Sequence, residues 1–226
     1  MAKVVFENEQ YNGADLTPEE LALLQKQIDT MFTARGSFYE ELLKENFQKV
    51  VGALQVAKEY FKAPFTGMSA GAGEIGMQKI RAGHLKRTTG TTETPNNDWN
   101  FSFTSGNDYW LGYSTNNTTA ANMDKEACVL VLGLMFTQGA QPVVEELFWK
   151  VGQTEYPIEV IRDAWAADND FGVRGIPIRP KLLVPKSTYL VQSRETSAGD
   201  NELVALGVTF GLGRYLVQQS YSTVSL

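Results

Sequence analysis

One histidine, His84, and one cysteine, Cys128, are all that 226 residues offer of the side chains most used as nucleophiles, general bases and soft metal ligands. That removes zinc sites built from clustered Cys and His and leaves at most one imidazole for any catalytic apparatus. A lone cysteine forms no intrachain disulfide, so nothing in the fold depends on an oxidising compartment. Long apolar runs are scarce as well. The longest, Ala127 to Phe136, has ten residues and is too short to cross a bilayer. The opening MAKVVFENEQYNGADL has no apolar stretch long enough for a signal peptide. The expectation is a protein made in the cytoplasm and without membrane insertion. Positive charge is in deficit, 20 Lys and Arg against 26 Asp and Glu for a net charge of −6. An acidic balance of this kind argues against broad phosphate binding.

What is present is ordinary globular material, 43% hydrophobic and 20% charged, enough to build a sizeable core. Residues 1–15 read as an extended arm. Thr17-Pro-Glu-Glu20 is a helix start, with Thr17 as cap, Pro18 at the first helical position and Glu20 closing a capping box. Leu21, Leu24, Ile28 and Met31 then form one apolar face until Gly36. Ser37 and Glu40 make a second capping box, and the pattern predicts one helix from Phe38 to Lys62. Leu43, Phe47, Val50, Leu54, Ala57 and Phe61 are spaced 4, 3, 4, 3 and 4, the alternation of a helical seam. Such a seam packs on its own chain or against a neighbouring subunit, and Leu43, Phe47, Val50, Leu54 and Phe61 are candidates for the second role.

Residues 63–98 collapse into Gly, Thr, Ser and Asn with scattered charge, and read as an extended loop or linker between an N-terminal arm and helical region (1–62) and a β domain (99–226). Trp99-Asn-Phe-Ser-Phe-Thr104 alternates as a half-buried strand does, and Ala127 to Phe136 suits a strand buried on both faces. Val143 to Val151 and Pro157 to Trp165 fit strand or helix. Pro177 and Pro180 mark edges or turns. Two long strands, around 182–192 and 202–217, close the chain. The fold class expected is α+β, N-terminal helices followed by an antiparallel β-sandwich.

Motifs with catalytic associations lack their contexts. Gly71-Ala-Gly-Glu-Ile-Gly76, with Glu93 further on, matches a dinucleotide-binding pattern, but it follows a helix and Pro64 rather than a strand. Asp170-Phe-Gly172 spells the magnesium triplet of kinases without the rest of that machinery. Asp168, Asp170 and Glu159 offer hard oxygens for Ca²⁺, without the spacing of an EF-hand loop. Glu145, Glu146, Glu155, Glu159 and Asp163 offer carboxylates for glycoside hydrolysis, but no spacing selects a pair. Trp99, Phe101, Phe103, Tyr109, Trp110 and Tyr113 form an aromatic group that either stacks on sugars or fills a core. Lys79, Arg81, His84, Lys86 and Arg87 make the one local basic cluster, with no aromatic interleaving for base stacking. Lys79, Arg81, Lys86 and Arg87 are therefore candidates for subunit contact and not for sequence-specific nucleic-acid binding.

The segments Ile178 to Val191 (IRPKLLVPKSTYLV) and Leu203 to Gly211 (LVALGVTFG), continuing through Leu216, resemble the closing strands of viral capsid jelly rolls. The resemblance covers the C-terminal half. It implies a jelly-roll-like sandwich, many copies per particle, and N-terminal arms or helices that tie neighbours together. It also implies a protein without catalytic activity or cofactor, located in the virion and assembled in the host cytoplasm, whose partners are further copies of itself and other virion proteins. The alternative reading is a carbohydrate-binding or carbohydrate-processing β-sandwich using the aromatic group.

Overall fold

The computed structural model describes residues 2–7, 9–32, 36–89, 92–96, 98–103, 106–112, 120–136, 143–161 and 175–221; residues 87–89, 100, 103, 107–108, 200–202 and 219–221 contribute their backbone only. In chain order these residues form β1 (Ala2–Phe6), β2 (Glu9–Gly13), α1 (Pro18–Thr30), α2 (Phe38–Glu45), α3 (Phe47–Phe61), β3 (Ile75–Lys79), β4 (Lys86–Thr89), β5 (Thr92–Pro95), β6 (Asn100–Phe103) and β7 (Gly106–Leu111). They continue with β8 (Ala121–Asn122), β9 (Ala127–Phe136), β10 (Val144–Val151), β11 (Thr154–Glu155), β12 (Glu159–Val160), β13 (Gly175–Leu183), β14 (Thr188–Glu195), β15 (Gly199–Leu212) and α4 (Gly213–Tyr221).

Two antiparallel sheets carry the architecture. One runs β13-β9-β15-β3, with β6 also on β15; the other runs β11-β10-β14-β7, with β12 on β10 and β8 on β14. A core from both sheets lies between them, with Val129, Val131, Leu183 and Leu203 meeting Leu147, Trp149, Tyr189 and Val191. The outer face of the first sheet is covered in turn by α1–α3, where Leu24, Leu43, Val50 and Leu54 pack on Cys128, Leu130, Leu182 and Phe210. β9 is therefore the middle of three layers, which is why its sequence is apolar without alternation. Opposite Gly207 its register shifts, and the side chains exchange faces there: Val131 but also Leu134 point into the sandwich.

The capping box at Thr17 and Glu20 forms, with Glu20 N–H donating to Thr17 Oγ1 at 3.2 Å and Thr17 N–H to Glu20 Oε2 at 2.9 Å. At Ser37 only half of the second box forms, because Glu40 accepts from Gly36 N–H at 2.8 Å instead. The single helix expected over 38–62 is two helices. Asn46 leaves helical geometry (φ −97°, ψ 21°), and its side-chain amide donates to Leu42 O at 2.9 Å, the local competition that makes Asn a helix breaker.

Three further expectations are corrected. The extended arm expected over 1–15 folds back on itself, Ala2–Phe6 pairing with Glu9–Gly13 as the β1–β2 hairpin, with Val4 and Phe6 buried against α3. Residues 63–98 are not a loop throughout, since β3 is a full edge strand of the first sheet and β4–β5 a hairpin. The closing stretch does not hold two long strands with those bounds. A turn at Val184–Ser187, with Lys186 at φ 65°, separates β13 from β14, and β15 yields to α4 at Gly213. Helices therefore flank the β part on both sides of the sequence rather than only preceding it. Val144–Val151 resolves as strand, and Pro177 and Pro180 sit in the edge strand β13.

Candidate functional site

The helical seam is internal. Leu43, Val50 and Leu54 are fully buried, and Phe47 and Phe61 pack half-buried on the same cluster, so these positions hold the helices to the sheet. A subunit contact through the three leucine and valine side chains would require the helical layer to leave the sheet. The basic cluster is divided among different tasks. Lys86 lies 3.5 Å from Glu93 and 4.0 Å from Asp124. Lys79 Nζ sits 4.0 Å from the centre of the Phe32 ring and 5.6 Å from that of Tyr39. The side chain of Arg87 lies outside the described residues.

His84 is buried, its Nδ1 2.8 Å from Thr209 Oγ1 and accepting from Arg81 N–H at 3.2 Å. Burial pulls its pKa down to about 3, helped by the nearby Arg81 charge. Cys128 is fully buried on β9, and burial pushes its thiol far above the usual range. Gly71–Gly76 leads into strand β3 rather than opening a helix, with Glu74 accepting from Gly71 N–H and the Thr66 hydroxyl, so the dinucleotide geometry does not form.

Four of the five carboxylates that sequence alone left ungrouped each meet a cation. Glu145 and Glu146 lie 3.0 and 3.2 Å from Arg194, Glu155 lies 3.1 Å from Lys150, and Glu159 lies 2.8 Å from Lys181. Asp163, Asp168, Asp170 and the Asp170–Gly172 triplet lie outside the described residues. Among the described residues no group of three or more His, Cys, Asp or Glu is placed to hold a metal ion. In the aromatic group, Trp110 is buried between Trp99 and Trp149, ring centres 6.3 and 6.1 Å away, and Trp99 and Phe101 pack on the sandwich core. Trp99, Phe101 and Tyr109 remain half-buried, and only Trp110 of the described rings in this group is fully enclosed. Tyr113 and the Phe103 side chain lie outside the described residues.

One buried charge was missed by sequence reading. Lys181 is fully buried within the sandwich edge, with Nζ 2.8 Å from Glu159 Oε1, 2.7 Å from Arg179 O and 4.7 Å from the centre of the Tyr156 ring. Desolvation lowers its pKa, and Glu159 works against that shift. The signal available was parity: on β13 Lys181 shares a face with Leu183, which points into the core.

The Glu159–Lys181 pair also fixes where the two sheets meet. It stacks β12 on β13, so one long side of the sandwich is β12/β13 and the opposite side is β7/β3. Each side carries an open feature. At the β12 side, Ile158 and Val160 are 54% and 45% exposed, and Ile158 borders a cavity of about 280 Å³ with Phe148, Gln192 and Arg194. At the β3 side, Met31, Met68, Gln78, Lys79, Ile80 and Arg81 line a cavity of about 490 Å³. Both are shallow surfaces of mixed apolar and charged character, the composition of contact patches rather than of enclosed reaction chambers. Comparison of the chain with protein-family models, with curated proteins and with solved structures finds no match.

Proposed function

We propose that this chain is a jelly-roll shell protein that assembles in many copies, as a virion capsid or capsid-associated component, built in the host cytoplasm and acting without catalysis. The observation that carries the reading is strand order. The principal strands in sequence, β3, β7, β9, β10, β12, β13, β14 and β15, alternate between sheets except at the β10–β12 step. The orders β3-β15-β9-β13 and β7-β14-β10-β12 then follow, which is the pattern of two interlocked Greek keys. Jelly rolls also serve lectins and enzymes, so fold alone does not select assembly. Support for assembly comes from the surface. The described carboxylates of interest are held in ion pairs, the central tryptophans are core, and exposed Val160 on β12 has exposed Ile158 just before that strand. Exposed apolar edges are the feature that proteins acting alone ordinarily suppress.

Light scattering followed by negative-stain electron microscopy of the purified full chain tests this. Regular shells, tubes or capsomer-like rings are expected as concentration rises. A protein that remains monomeric at millimolar concentration overturns the proposal.

A further inference from the structure

We infer that the cavity on the β3 edge receives the β11–β12 segment, Thr154 to Val160, of a second copy of this chain; the inference rests on the assembly reading above and names the contact it would use. The cavity wall holds two cations, Lys79 and Arg81, and among the described residues neither has a carboxylate within ion-pair distance, although the chain carries a net charge of −6. Immediately before Lys79 in sequence, Gln78 lines the same cavity, its Oε1 buried and, among the described residues, without a hydrogen-bond donor. Met68, 50% exposed, and Met31 supply a deformable apolar wall. The site therefore asks for an anion and an apolar side chain in one short stretch.

The segment Thr154-Glu-Tyr-Pro-Ile-Glu-Val160 offers that set. The Glu155 side chain is 60% exposed and, among the described residues, tied only to Lys150, while Ile158 and Val160 are exposed apolar groups at and just before β12. Glu155 meets Lys79 and Arg81, and Ile158 packs on the methionines. Because the strand orders put β12 and β3 on opposite sides of the sandwich, the contact is head-to-tail, leaving each copy with one free donor and one free acceptor edge. Such a contact propagates and closes into a ring or shell only if its rotation allows it.

Sedimentation velocity of the full chain across a concentration series tests the contact, with circular dichroism to establish that each variant is folded. Arg81→Glu and Ile158→Asp should each weaken self-association by about tenfold or more. The charge-exchanged double variant Arg81→Glu with Glu155→Arg should recover it, since every contact then contains both changes. Wild-type assembly by either single variant, or a double variant no better than Arg81→Glu, overturns this contact and leaves the shell reading standing. A small closed oligomer that Arg81→Glu dissociates supports the contact and removes the shell reading. A wild-type monomer at every concentration removes both.

Discussion

The hydroxyl of Tyr39 donates to Gly207 O at 2.5 Å and accepts from Gly207 N–H at 3.1 Å, so one side chain of α2 occupies both backbone groups of a residue in the middle of β15. Those groups face a break in the ladder, where β15 slips register on β9 and Ile80 N–H adds a longer bond of 3.3 Å to the same carbonyl. Burial of the hydroxyl raises its pKa above the ordinary phenol range, as a neutral donor and acceptor requires. Tyr39→Phe keeps the ring beside Lys79 and removes only these bonds. The cost should be about 1–3 kcal/mol, because a buried backbone N–H is left unsatisfied. Urea unfolding of the two proteins measures it, and a change within a few tenths of a kcal/mol would mean that water replaces the hydroxyl.

The glycine is as specific as the tyrosine. Gly207 has φ +152°, and a Cβ there would lie 1.9 Å from Leu130 O, inside the carbonyl itself. Gly207→Ala must therefore push β9 and β15 apart at the centre of the sheet. A loss of about 3 kcal/mol or more, or failure to fold, is expected from the combined strain and overpacking. Thermal unfolding reads it directly, and an unaltered Tm would show the strands to be more yielding than close packing implies.

How far the chain could be read before its fold was known depended on whether the signal was local. The cap at Thr17 and Glu20 and the doubly buried strand β9 were legible because a hydrogen-bonding pair and an unbroken apolar run have few other meanings. Alternation at Trp99 and Phe101 correctly placed them against a core. β3 was invisible: in Ile75-Gly-Met-Gln-Lys79 only Ile75 and Met77 alternate, too short a signal by itself, and the segment becomes a strand through its pairing with β15, more than a hundred residues away. The β1–β2 hairpin was hidden for a related reason, since its turn uses Glu7 at φ 51° rather than a glycine. Of the proposed contact surface, Lys79 and Arg81 stand out locally as part of the basic cluster, whereas Ile158 and Val160 carry no local signal. Only the strand order reveals which edges are opposite.

Lys181 and Glu159 form a pair whose two halves are not equivalent. Lys181 is fully buried, whereas the Glu159 side chain keeps 15% exposure. Glu159→Gln strands a cation in the interior and should cost about 3–5 kcal/mol at pH 7, more than Lys181→Met, which leaves a carboxylate that water can reach. The pH dependence distinguishes this from a packing defect. Desolvation already holds the Lys181 pKa below its ordinary value, and without Glu159 it falls further. The unfolded state then binds more protons than the native state, so the stability of the Glu159→Gln variant should rise relative to wild type between pH 7 and 10. A penalty that is constant over this range would assign the loss to packing.

The single histidine gives a cleaner acid signature. His84 has a native pKa of about 3 against 6.5 for a free imidazole, so its contribution is complete above pH 6.5 and is lost as pH falls toward 3. Between pH 6.5 and 5, before most carboxylates protonate, this one group should reduce stability by up to about 1.4 kcal/mol per pH unit. Guanidinium unfolding at pH 7, 6 and 5 measures the slope. His84→Gln should be less stable at pH 7, because Thr209 and Arg81 N–H lose their acceptor geometry, yet flatter between pH 6.5 and 5. An equal slope in both proteins would show that His84 is protonated in the fold.

The N-terminal hairpin is held by a notch in α3, and the sign of one substitution tests it. Gly52 sits mid-helix, where alanine would ordinarily add about 1 kcal/mol of stability. A Cβ at Gly52, however, would stand 2.8 Å from Val4 Cγ1, and a β-branched side chain has little rotamer freedom to move aside. Gly52→Ala should therefore destabilise the protein by displacing Val4, which is almost completely buried, together with Phe6. Val4→Ala removes the methyl in the way, and the next nearest atoms, of Phe6, lie at 3.6 Å, an ordinary contact. In that background Gly52→Ala should change sign and stabilise by up to its full helix propensity. Urea denaturation of wild type, both single variants and the double variant gives the coupling, expected at about 1 kcal/mol or more. Stabilisation by Gly52→Ala alone would mean that the hairpin does not rest on α3 in solution.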